Sequence, residues 1–311
     1  MENRPAIVVE GLTKYYGNVL AVDHIVFDVK NGELFGFLGP NGAGKTTTVR
    51  ILTGIINSEE GRAVVMGHPA GSLQAKQLSG IVPEQANAYS DLSAWDNLML
   101  MADLYRVRKS EANQRAEALL QEVGLYEKKD NRVKTFSLGM RKRLILCLAL
   151  VSGPQVLFLD EPTSGLDVQS TRLIRGTLRK LRKEGKTIFL TTHNMDEASE
   201  LCDRIAIINR GKLVAIDTPE RLRIGAGAFH VVEVGFASPV ASETLSRLPE
   251  VNRTEGTGNK VRLYTENPCG LVASLVDFSR THCLPMVALN ILTPSLEEAF
   301  VRLTQEVSHA R

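Results

Sequence analysis

The sequence has few cysteines and no long apolar run. Its four cysteines are scattered, and no two of them form a C-x-x-C pair, so a disulfide framework or a zinc site is not expected. Nowhere do about eighteen apolar residues follow one another, which argues against a membrane-spanning helix. The first residues also lack the apolar core of a signal peptide. These absences predict a cytoplasmic protein with buried free thiols.

A strong charge of either sign is also absent. The chain has 37 Lys and Arg against 35 Asp and Glu, a formal net charge of +2, so no strong attraction to nucleic acid or to an anionic bilayer is implied. Its 43% hydrophobic and 23% charged residues are typical of an ordinary globular protein. A length of 311 residues suffices for one large domain and a small appended one.

Strand and helix patterns alternate over most of the chain. Short apolar runs at Leu34–Leu38, Val156–Leu159, Thr187–Thr191 and Arg204–Ile208 read as strands, whereas residues 88–153 carry helical periodicity. Strands that alternate with helices favour a largely parallel sheet covered on both faces. We therefore expect an α/β core with an inserted helical subdomain.

The pattern changes at Gly225-Ala226-Gly227, which reads as a linker. Beyond it, three strand patterns alternate with three helix patterns, enough for a small α+β domain. We expect an α/β domain over residues 1–224 and an accessory α+β domain over residues 225–311. The second of these contains no catalytic pattern.

A glycine-rich turn follows the strand pattern Leu34–Leu38 and precedes a helix pattern. It fits G-x-x-x-x-G-K-[ST] and, with the next residue, comprises Gly39, Pro40, Asn41, Gly42, Ala43, Gly44, Lys45, Thr46 and Thr47. Its glycines let consecutive backbone N–H groups face one point, and the helix dipole adds to the attraction for a polyphosphate. Lys45 is expected to reach the β- and γ-phosphates and Thr46 to bind Mg²⁺. The alternative is a turn with an exposed lysine.

Two adjacent carboxylates end the strand pattern Val156–Leu159. Burying Asp160 and Glu161 there is unfavourable unless a cation or a hydrogen-bond donor meets them. We expect Asp160 to bind Mg²⁺ and Glu161 to polarise the attacking water as a general base. The alternative is a helix cap and turn built from Asp160-Glu161-Pro162-Thr163.

The stretch Phe136-Ser137-Leu138-Gly139-Met140, which leads an apolar helix, resembles the ABC signature L-S-G-G-Q. With residues 160–167 and Thr191-Thr192-His193, it makes residues 5–224 resemble an ABC nucleotide-binding domain. The resemblance implies a P-loop NTPase core of the ABC ATPase type. Ser137 at a helix start, followed by Gly139, is also a second anion site like the first. An ordinary helix N-cap is the alternative there.

The resemblance implies ATP and Mg²⁺ as cofactors and a head-to-tail pair, formed with a second copy or with another ATPase subunit. In that pair, Ser137 and Gly139 of one chain close on ATP held by Lys45 of the other. His193 would contact the γ-phosphate as part of the catalytic set; the alternative is a hydrogen-bonded histidine at a strand end with no such role. Tyr16 would stack on adenine, unless it is buried between the first two strands. Asp167 would link the two sites across the dimer.

Two departures from the family pattern stand out. The family commonly has Pro-Gln where this chain has Pro83-Glu84-Gln85, so the metal contact falls on either Glu84 or Gln85. A carboxylate can replace an amide oxygen at Mg²⁺. The signature also has Leu138 and Met140 in place of Gly and Gln. Leucine lacks the freedom of glycine, so we expect a slightly different closure.

Residues 293–300 resemble a tail of the daunorubicin-resistance branch of ABC ATPases; the alternative is an ordinary capped amphipathic helix. That similarity implies an exporter at the inner face of the cell membrane, driving a separately encoded permease that selects the cargo. The apolar run Leu98-Met99-Leu100-Met101, within the segment Tyr89–Met101, is interpreted as exposed and is predicted to dock that permease; the alternative, at helical spacing, is that these residues belong to the core. The alternatives are a soluble ABC ATPase acting on ribosomes or nucleic acid, and a regulator that binds ATP without hydrolysing it. A lone cassette disfavours nucleic acid as the partner, and the intact Glu161 disfavours the regulator.

Overall fold

The computed structural model describes residues 4–85, 88–225, 229–256, 259–292 and 295–309, without the side chains of 225 and 305–309. The chain divides into two compact units between Thr218 and Pro219. Within these residues, no helix is long and apolar enough to cross a membrane.

The first unit contains three sets of elements. Its strands are β1 (Ile7–Tyr16), β2 (Val19–Val29), β3 (Leu34–Leu38), β4 (Glu60–Val65), β5 (His68–Pro69), β6 (Ser79–Val82), β7 (Val156–Asp160), β8 (Thr187–Thr192), β9 (Arg204–Asn209) and β10 (Lys212–Asp217). Its α-helices are α1 (Lys45–Leu52), α2 (Leu73–Gln77), α3 (Ala94–Leu104), α4 (Lys109–Glu122), α5 (Leu138–Leu150), α6 (Val168–Lys183) and α7 (Met195–Leu201). Two single turns of 3₁₀-helix lie at Tyr126–Lys128 and Val133–Thr135.

The central sheet of the described residues has the strand order β10-β9-β3-β8-β7-β6. Neighbouring strands run parallel, except that β10 is antiparallel to β9. Every residue of β3, β7 and β8 is buried, as expected for a parallel sheet covered on both faces. This arrangement confirms the predicted α/β core. Because β3, β8 and β7 are adjacent and parallel, the segments that follow them meet at one edge of the sheet.

A second, antiparallel sheet with the order β2-β1-β4-β5 packs against the first through aromatic rings. Phe27 of β2 lies 5.7 Å from Phe35 and 6.0 Å from Phe189 between ring centroids. Phe37 and Phe158 also contact the Phe189 ring. These offset ring contacts stabilise the interface beyond the area that they bury. The hairpin of β1 and β2 is thereby fixed relative to the central sheet.

The segment between β6 and β7 is helical, as predicted, with α3 packed against α4 and α5. Ser93 caps α3 in a reciprocal capping box with Asp96. The expected exposed run from Leu98 to Met101 is wrong in part. Leu98 is fully buried, whereas Leu100 is 36% exposed, because successive residues of a helix point about 100° apart and four in a row cover all of its faces.

The second unit has its own antiparallel sheet, in the order β12-β13-β11-β14, and its own apolar core. Its elements are α8 (Pro219–Gly225), β11 (His230–Phe236), α9 (Ser242–Leu245), β12 (Arg253–Glu255), β13 (Lys260–Thr265), α10 (Pro268–Thr281), β14 (Met286–Leu292) and α11 (Leu296–His309). The division falls before α8, whereas the predicted boundary at residue 224 falls near its end, because α8 packs against α11. Residues 226 and 227 of the predicted linker lie outside the described residues.

The start of the predicted exporter tail, Thr293-Pro294, also lies outside the described residues. The rest of that tail begins α11. The Glu298 N–H donates to the Ser295 hydroxyl at 3.1 Å, and the Ser295 N–H donates to the Glu298 carboxylate at 3.1 Å. This reciprocal pair caps the helix.

Candidate active site

The loop between β3 and α1 requires glycine at several positions. Gly44 has a φ of +108° and would place a Cβ atom 2.5 Å from the Ala21 carbonyl oxygen. At Gly39, a Cβ atom would lie 2.4 Å from the carbonyl oxygen of Ile208. Both distances are too short for any side chain, so the loop wraps tightly around the start of α1. Its backbone N–H groups and the helix start form a concave site for an anion.

Lys45 lies over this loop. Its side chain is 6% exposed, and its ammonium group donates to the carbonyl oxygens of Gly39 at 2.7 Å and Pro40 at 3.2 Å. The same nitrogen is 3.5 Å from Oε1 of Glu161. The predicted lysine and the predicted carboxylate, more than a hundred positions apart in the sequence, therefore form a buried ion pair.

Glu161 is held in an unusual backbone conformation. Its φ is +50° although it is not glycine, a strained state that surrounding contacts must maintain. The Glu161 N–H donates to the carbonyl oxygen of Thr191 at 3.1 Å and lies 3.2 Å from its hydroxyl. Oε2 of Glu161 is 2.8 Å from Nδ1 of His193, while the buried Oε1 has no hydrogen-bond partner. One carboxylate oxygen is thus oriented by the imidazole and the other is available to accept a proton.

Asp160 is 4% exposed, and its Oδ1 accepts a hydrogen bond from the Thr191 hydroxyl at 2.5 Å. Thr191 therefore contacts both acidic residues. It is a functional residue to which the motifs assigned no separate role, and its position follows from the pairing of Asp160 with Thr191 in the parallel ladder.

Glu197 is a second residue whose role the motifs did not predict. It is fully buried and accepts hydrogen bonds from the Thr163 hydroxyl at 2.7 Å and the Thr192 hydroxyl at 2.9 Å. It links the turn that follows β7 to the turn that follows β8. Its buried charge is near Arg175, whose Nε lies 3.4 Å away. Glu197 therefore fixes the spacing between Glu161 and His193.

A cavity of about 420 Å³ joins these groups. Its lining residues are Tyr16, Ala21, Pro40, Asn41, Gly42, Gly44, Lys45, Thr46, Thr47, Glu84, Glu161, Ser164 and His193. Tyr16 is 46% exposed at the end of β1, which is not the buried position that was its alternative. Residues predicted from motifs far apart in the sequence thus surround one space large enough for a nucleotide.

A smaller cavity of about 200 Å³ lies beside it. Thr46, Glu84, Gln85 and Asp160, the four residues predicted to bind metal, all line this cavity. Both Glu84 and Gln85 reach it, so either can supply the oxygen. Among the residues that the structure describes, no group of three or more His, Cys, Asp or Glu side chains is arranged to hold a metal ion. A divalent cation here therefore needs hydroxyl, amide and phosphate oxygens as well, as Mg²⁺ commonly does.

Ser137 and Gly139 lie outside both cavities. Ser137 caps α5, and its hydroxyl accepts a hydrogen bond from the Met140 N–H at 3.3 Å. Gly139 packs against the start of α6, where Asp167 accepts hydrogen bonds from the N–H and the hydroxyl of Ser170, both at 2.8 Å. These bonds hold the pKa of Asp167 below its usual value. Within one chain, the predicted second anion site does not reach the cavity.

A cavity of about 590 Å³, larger than the one that Lys45 lines, lies in the second unit and is lined by residues such as Phe229, Arg253, Tyr264 and Arg302. None of the nucleotide motifs contributes to it. Size alone is therefore a poor guide to the active site, and the convergence of Lys45, Glu161 and His193 makes the smaller of these two cavities the candidate.

Comparison with known proteins agrees with this geometry. The model of the ABC transporter family matches residues 22–164. The Nod factor export ATP-binding protein I of Ralstonia nicotianae is 38% identical over 303 residues, which span 96% of this chain and 94% of that protein. The linearmycin resistance ATP-binding protein LnrL of Bacillus subtilis is 36% identical over 302 residues, or 95% of this chain and 97% of that protein.

The fold comparison leads to the same family. A solved structure described as the ATP binding subunit of an ABC transporter superposes with a TM-score of 0.67 at 26% identity. The match covers 71% of this chain and 93% of that one. It is consistent with a cassette that accounts for most of the first unit. This chain therefore belongs to the ABC transporter family, as one of its ATP-binding, ATP-hydrolysing subunits.

Proposed function

We propose that this subunit powers export: it dimerises on ATP, hydrolyses it, and drives a separate permease from the inner face of the membrane. The observation that carries the catalytic part is the buried Glu161 carboxylate, placed between Lys45 and His193 at the wall of the nucleotide-sized cavity. The direction of transport is inferred from the relatives above, whose names refer to Nod factor export and to linearmycin resistance.

The proposed reaction is an in-line attack of water on the γ-phosphorus. The water oxygen forms a bond to phosphorus, the bond to the bridging oxygen breaks, and ADP, phosphate and one proton are released. Oε1 of Glu161, buried without a hydrogen-bond partner, accepts the hydrogen bond of the attacking water. Lys45 and His193 stabilise the charge that develops on the phosphate oxygens.

Mg²⁺ fits the smaller cavity, because Thr46, Asp160 and either Glu84 or Gln85 offer oxygen ligands there. When bound, the ion neutralises charge on the β- and γ-phosphate oxygens. The Thr191 hydroxyl keeps one oxygen of Asp160 oriented through its 2.5 Å hydrogen bond. The lining thus supplies hard oxygen donors and no thiol or imidazole.

The dimer follows from the position of the second anion site. Ser137 and Gly139 lie outside the cavity of their own chain, yet the start of α5 has free backbone N–H groups suited to a phosphate. We propose that a paired chain presents this helix start to the ATP held by Lys45. Each nucleotide is then enclosed by two chains, so ATP binding and pairing are coupled.

The helical subdomain supplies the proposed contact with the permease. Tyr89, Leu100 and Leu104 are 65%, 36% and 66% exposed. Exposed apolar side chains near one another on a soluble subunit suit a protein interface. The second unit is proposed to act as an accessory domain, because its own sheet and core carry none of the nucleotide motifs.

The test is Glu161→Gln, which keeps the size of the side chain but removes its basicity. Since a general base contributes about 10²–10⁴-fold, phosphate release should fall by at least about 10²-fold while ATP binding persists. Light scattering should show a dimer trapped with ATP. Glu33→Gln is the matched control, because Glu33 is equally buried at 7% exposure but precedes β3, at the opposite edge of the sheet.

The alternatives give different results. If the parent protein releases no phosphate even with its permease, it is a nucleotide-dependent regulator. Salt-sensitive RNA binding by the purified chain would instead support a role on nucleic acid or ribosomes. A chain that stays monomeric with saturating ATP would contradict the proposed dimer.

A further inference from the structure

A buried lysine outside the predicted site contacts the turn that carries Glu161. Lys142 lies in the second turn of α5 and is 9% exposed. Its ammonium group donates to the carbonyl oxygen of Ser164 at 2.7 Å and to that of Glu161 at 3.2 Å. Burial lowers the pKa of Lys142, and the carboxylates of Glu84, Glu161 and Glu197 oppose that shift. A buried ammonium group is unfavourable unless its donors are used, so these two bonds account for its position.

The turn itself is strained and short. It runs from Glu161, with a φ of +50°, to Gly165, with a φ of +73°. Inside it, the Ser164 N–H donates to the Glu161 carbonyl oxygen at 3.2 Å. A non-glycine residue stays in the left-handed region only when neighbouring contacts hold it there. The direction of the Glu161 carboxylate therefore depends on how both of its peptide groups are held.

Two contacts hold those groups from opposite sides. Thr191 accepts a hydrogen bond from the N–H of Glu161, and Lys142 donates one to its carbonyl oxygen. Lys142 also holds the Ser164 carbonyl oxygen at the far end of the same turn. A lysine suits this role because its ammonium group has three donors and no acceptor. Losing it leaves the turn free to relax.

We propose that Lys142 is a positioning residue for catalysis: it clamps the turn from Glu161 to Ser164 so that the Glu161 carboxylate faces the cavity. This inference rests on the proposed role of Glu161 as the group that activates water. Lys142 does not line the nucleotide cavity, and the loop that binds phosphate is attached to a different strand, β3. Its loss should therefore change the rate of hydrolysis far more than the binding of ATP.

The experiment compares Lys142→Met with Lys186→Met in the full-length protein. Methionine keeps the length of the side chain but has no donor. Lys186 is the matched control, because its ammonium group also donates to a backbone carbonyl, that of Pro154, at 2.7 Å. Lys186 lies at the beginning of β8, away from the end of that strand where Thr191 contacts Glu161. Lys142→Met should lower kcat by about tenfold or more with KM for ATP within about threefold, since a misplaced catalytic group costs about that much. Lys186→Met should leave kcat within about twofold of the parent value.

A double variant tests whether Lys142 acts through Glu161. In a Glu161→Gln background, Lys142→Met should lower the residual rate by less than about threefold, because groups that act as a unit are not additive. Lys142→Arg, which keeps the charge and the donors, should recover part of the rate. Thermal midpoints and nucleotide binding show whether each variant is folded. If Lys142→Met does not fold, Lys142→Gln is used in its place.

The inference is overturned if Lys142→Met and Lys186→Met lower kcat equally, or if the losses from Lys142→Met and Glu161→Gln multiply. It is also overturned if Lys142→Met raises KM while sparing kcat. Failure of the proposed function has a different signature: Glu161→Gln itself would then leave phosphate release unchanged.

Discussion

A methyl group added at Gly139 tests how closely the starts of α5 and α6 pack. A Cβ atom built there would lie 2.4 Å from Oγ of Ser170 and 3.3 Å from Oδ2 of Asp167. Ser170 is 5% exposed and its hydroxyl is bonded to Asp167, so neither side chain can move away without breaking that bond. Gly139→Ala should therefore push the two helix starts apart.

The magnitude follows from two opposing effects. Overpacking a buried contact destabilises by about 1–3 kcal/mol, while alanine is better than glycine in a helix by at most about 1 kcal/mol. The single variant should thus lose up to about 3 kcal/mol of unfolding free energy. Adding Ser170→Gly removes the clash, so the coupling between the two substitutions should be about 1–3 kcal/mol. The helix preference cancels in that coupling.

The assay is chemical unfolding followed by tryptophan fluorescence. Trp95 is the single tryptophan of the chain and lies in α3 of the first unit, so its signal reports on that unit. Gly176→Ala is the matched control, because Gly176 is exposed within α6 and a Cβ atom there meets nothing within 4 Å. It should stabilise by up to about 1 kcal/mol. The reasoning is refuted if Gly139→Ala behaves like Gly176→Ala, or if Ser170→Gly restores nothing.

Two further predictions concern pH and transport. Burial raises the pKa of Glu33 above its ordinary value of 4.5, so the folded state binds that proton more tightly than the unfolded chain does. The Glu33 carboxyl group therefore contributes fully to stability below about pH 4.5, and this contribution is lost as the pH rises through the folded pKa. Between about pH 4 and about pH 7, the free energy of unfolding measured in urea should fall more for the parent protein than for Glu33→Gln. In membrane vesicles, Leu100→Asp should abolish transport but spare ATP hydrolysis, whereas Leu173→Asp, at a leucine 40% exposed on α6, should spare both. Equal transport by the two variants would contradict the docking surface.

The central sheet was predictable because its inner strands β3, β7 and β8 are short and largely apolar runs. The β3, β7 and β8 segments are buried on both faces, so local composition alone marks them. The strands β4 and β6 escaped prediction for the opposite reason. Glu60–Val65 is largely exposed at its start. The four residues of β6 include Gly80, where a Cβ atom would lie 2.4 Å from the Ala149 carbonyl oxygen. Such a close approach is a property of packing, not of local pattern.

The site was predictable as a set of motifs but not as a set of contacts. The spacing of Lys45 from Gly39 and Gly44 indicates phosphate binding, and so does the position of Asp160-Glu161 at a strand end. The roles of Thr191 and Lys142 depend instead on strand register and on how α5 packs beneath the turn, which no short stretch of sequence encodes. The full length of strand β1 is likewise not indicated by local pattern, because Gly11, with a φ of +61°, interrupts the alternation before the strand continues to Tyr16.

The stacked phenylalanines between the two sheets affect the shape of the cavity that Tyr16 and Lys45 line. Tyr16 belongs to the outer sheet and Lys45 follows a strand of the central sheet, and the contacts of Phe27 with Phe35 and Phe189 hold these two sheets against each other. Rings at van der Waals contact resist compression. The separation of Tyr16 and Lys45 across the cavity therefore depends on the hydrophobic interior, on residues that do not line the cavity themselves.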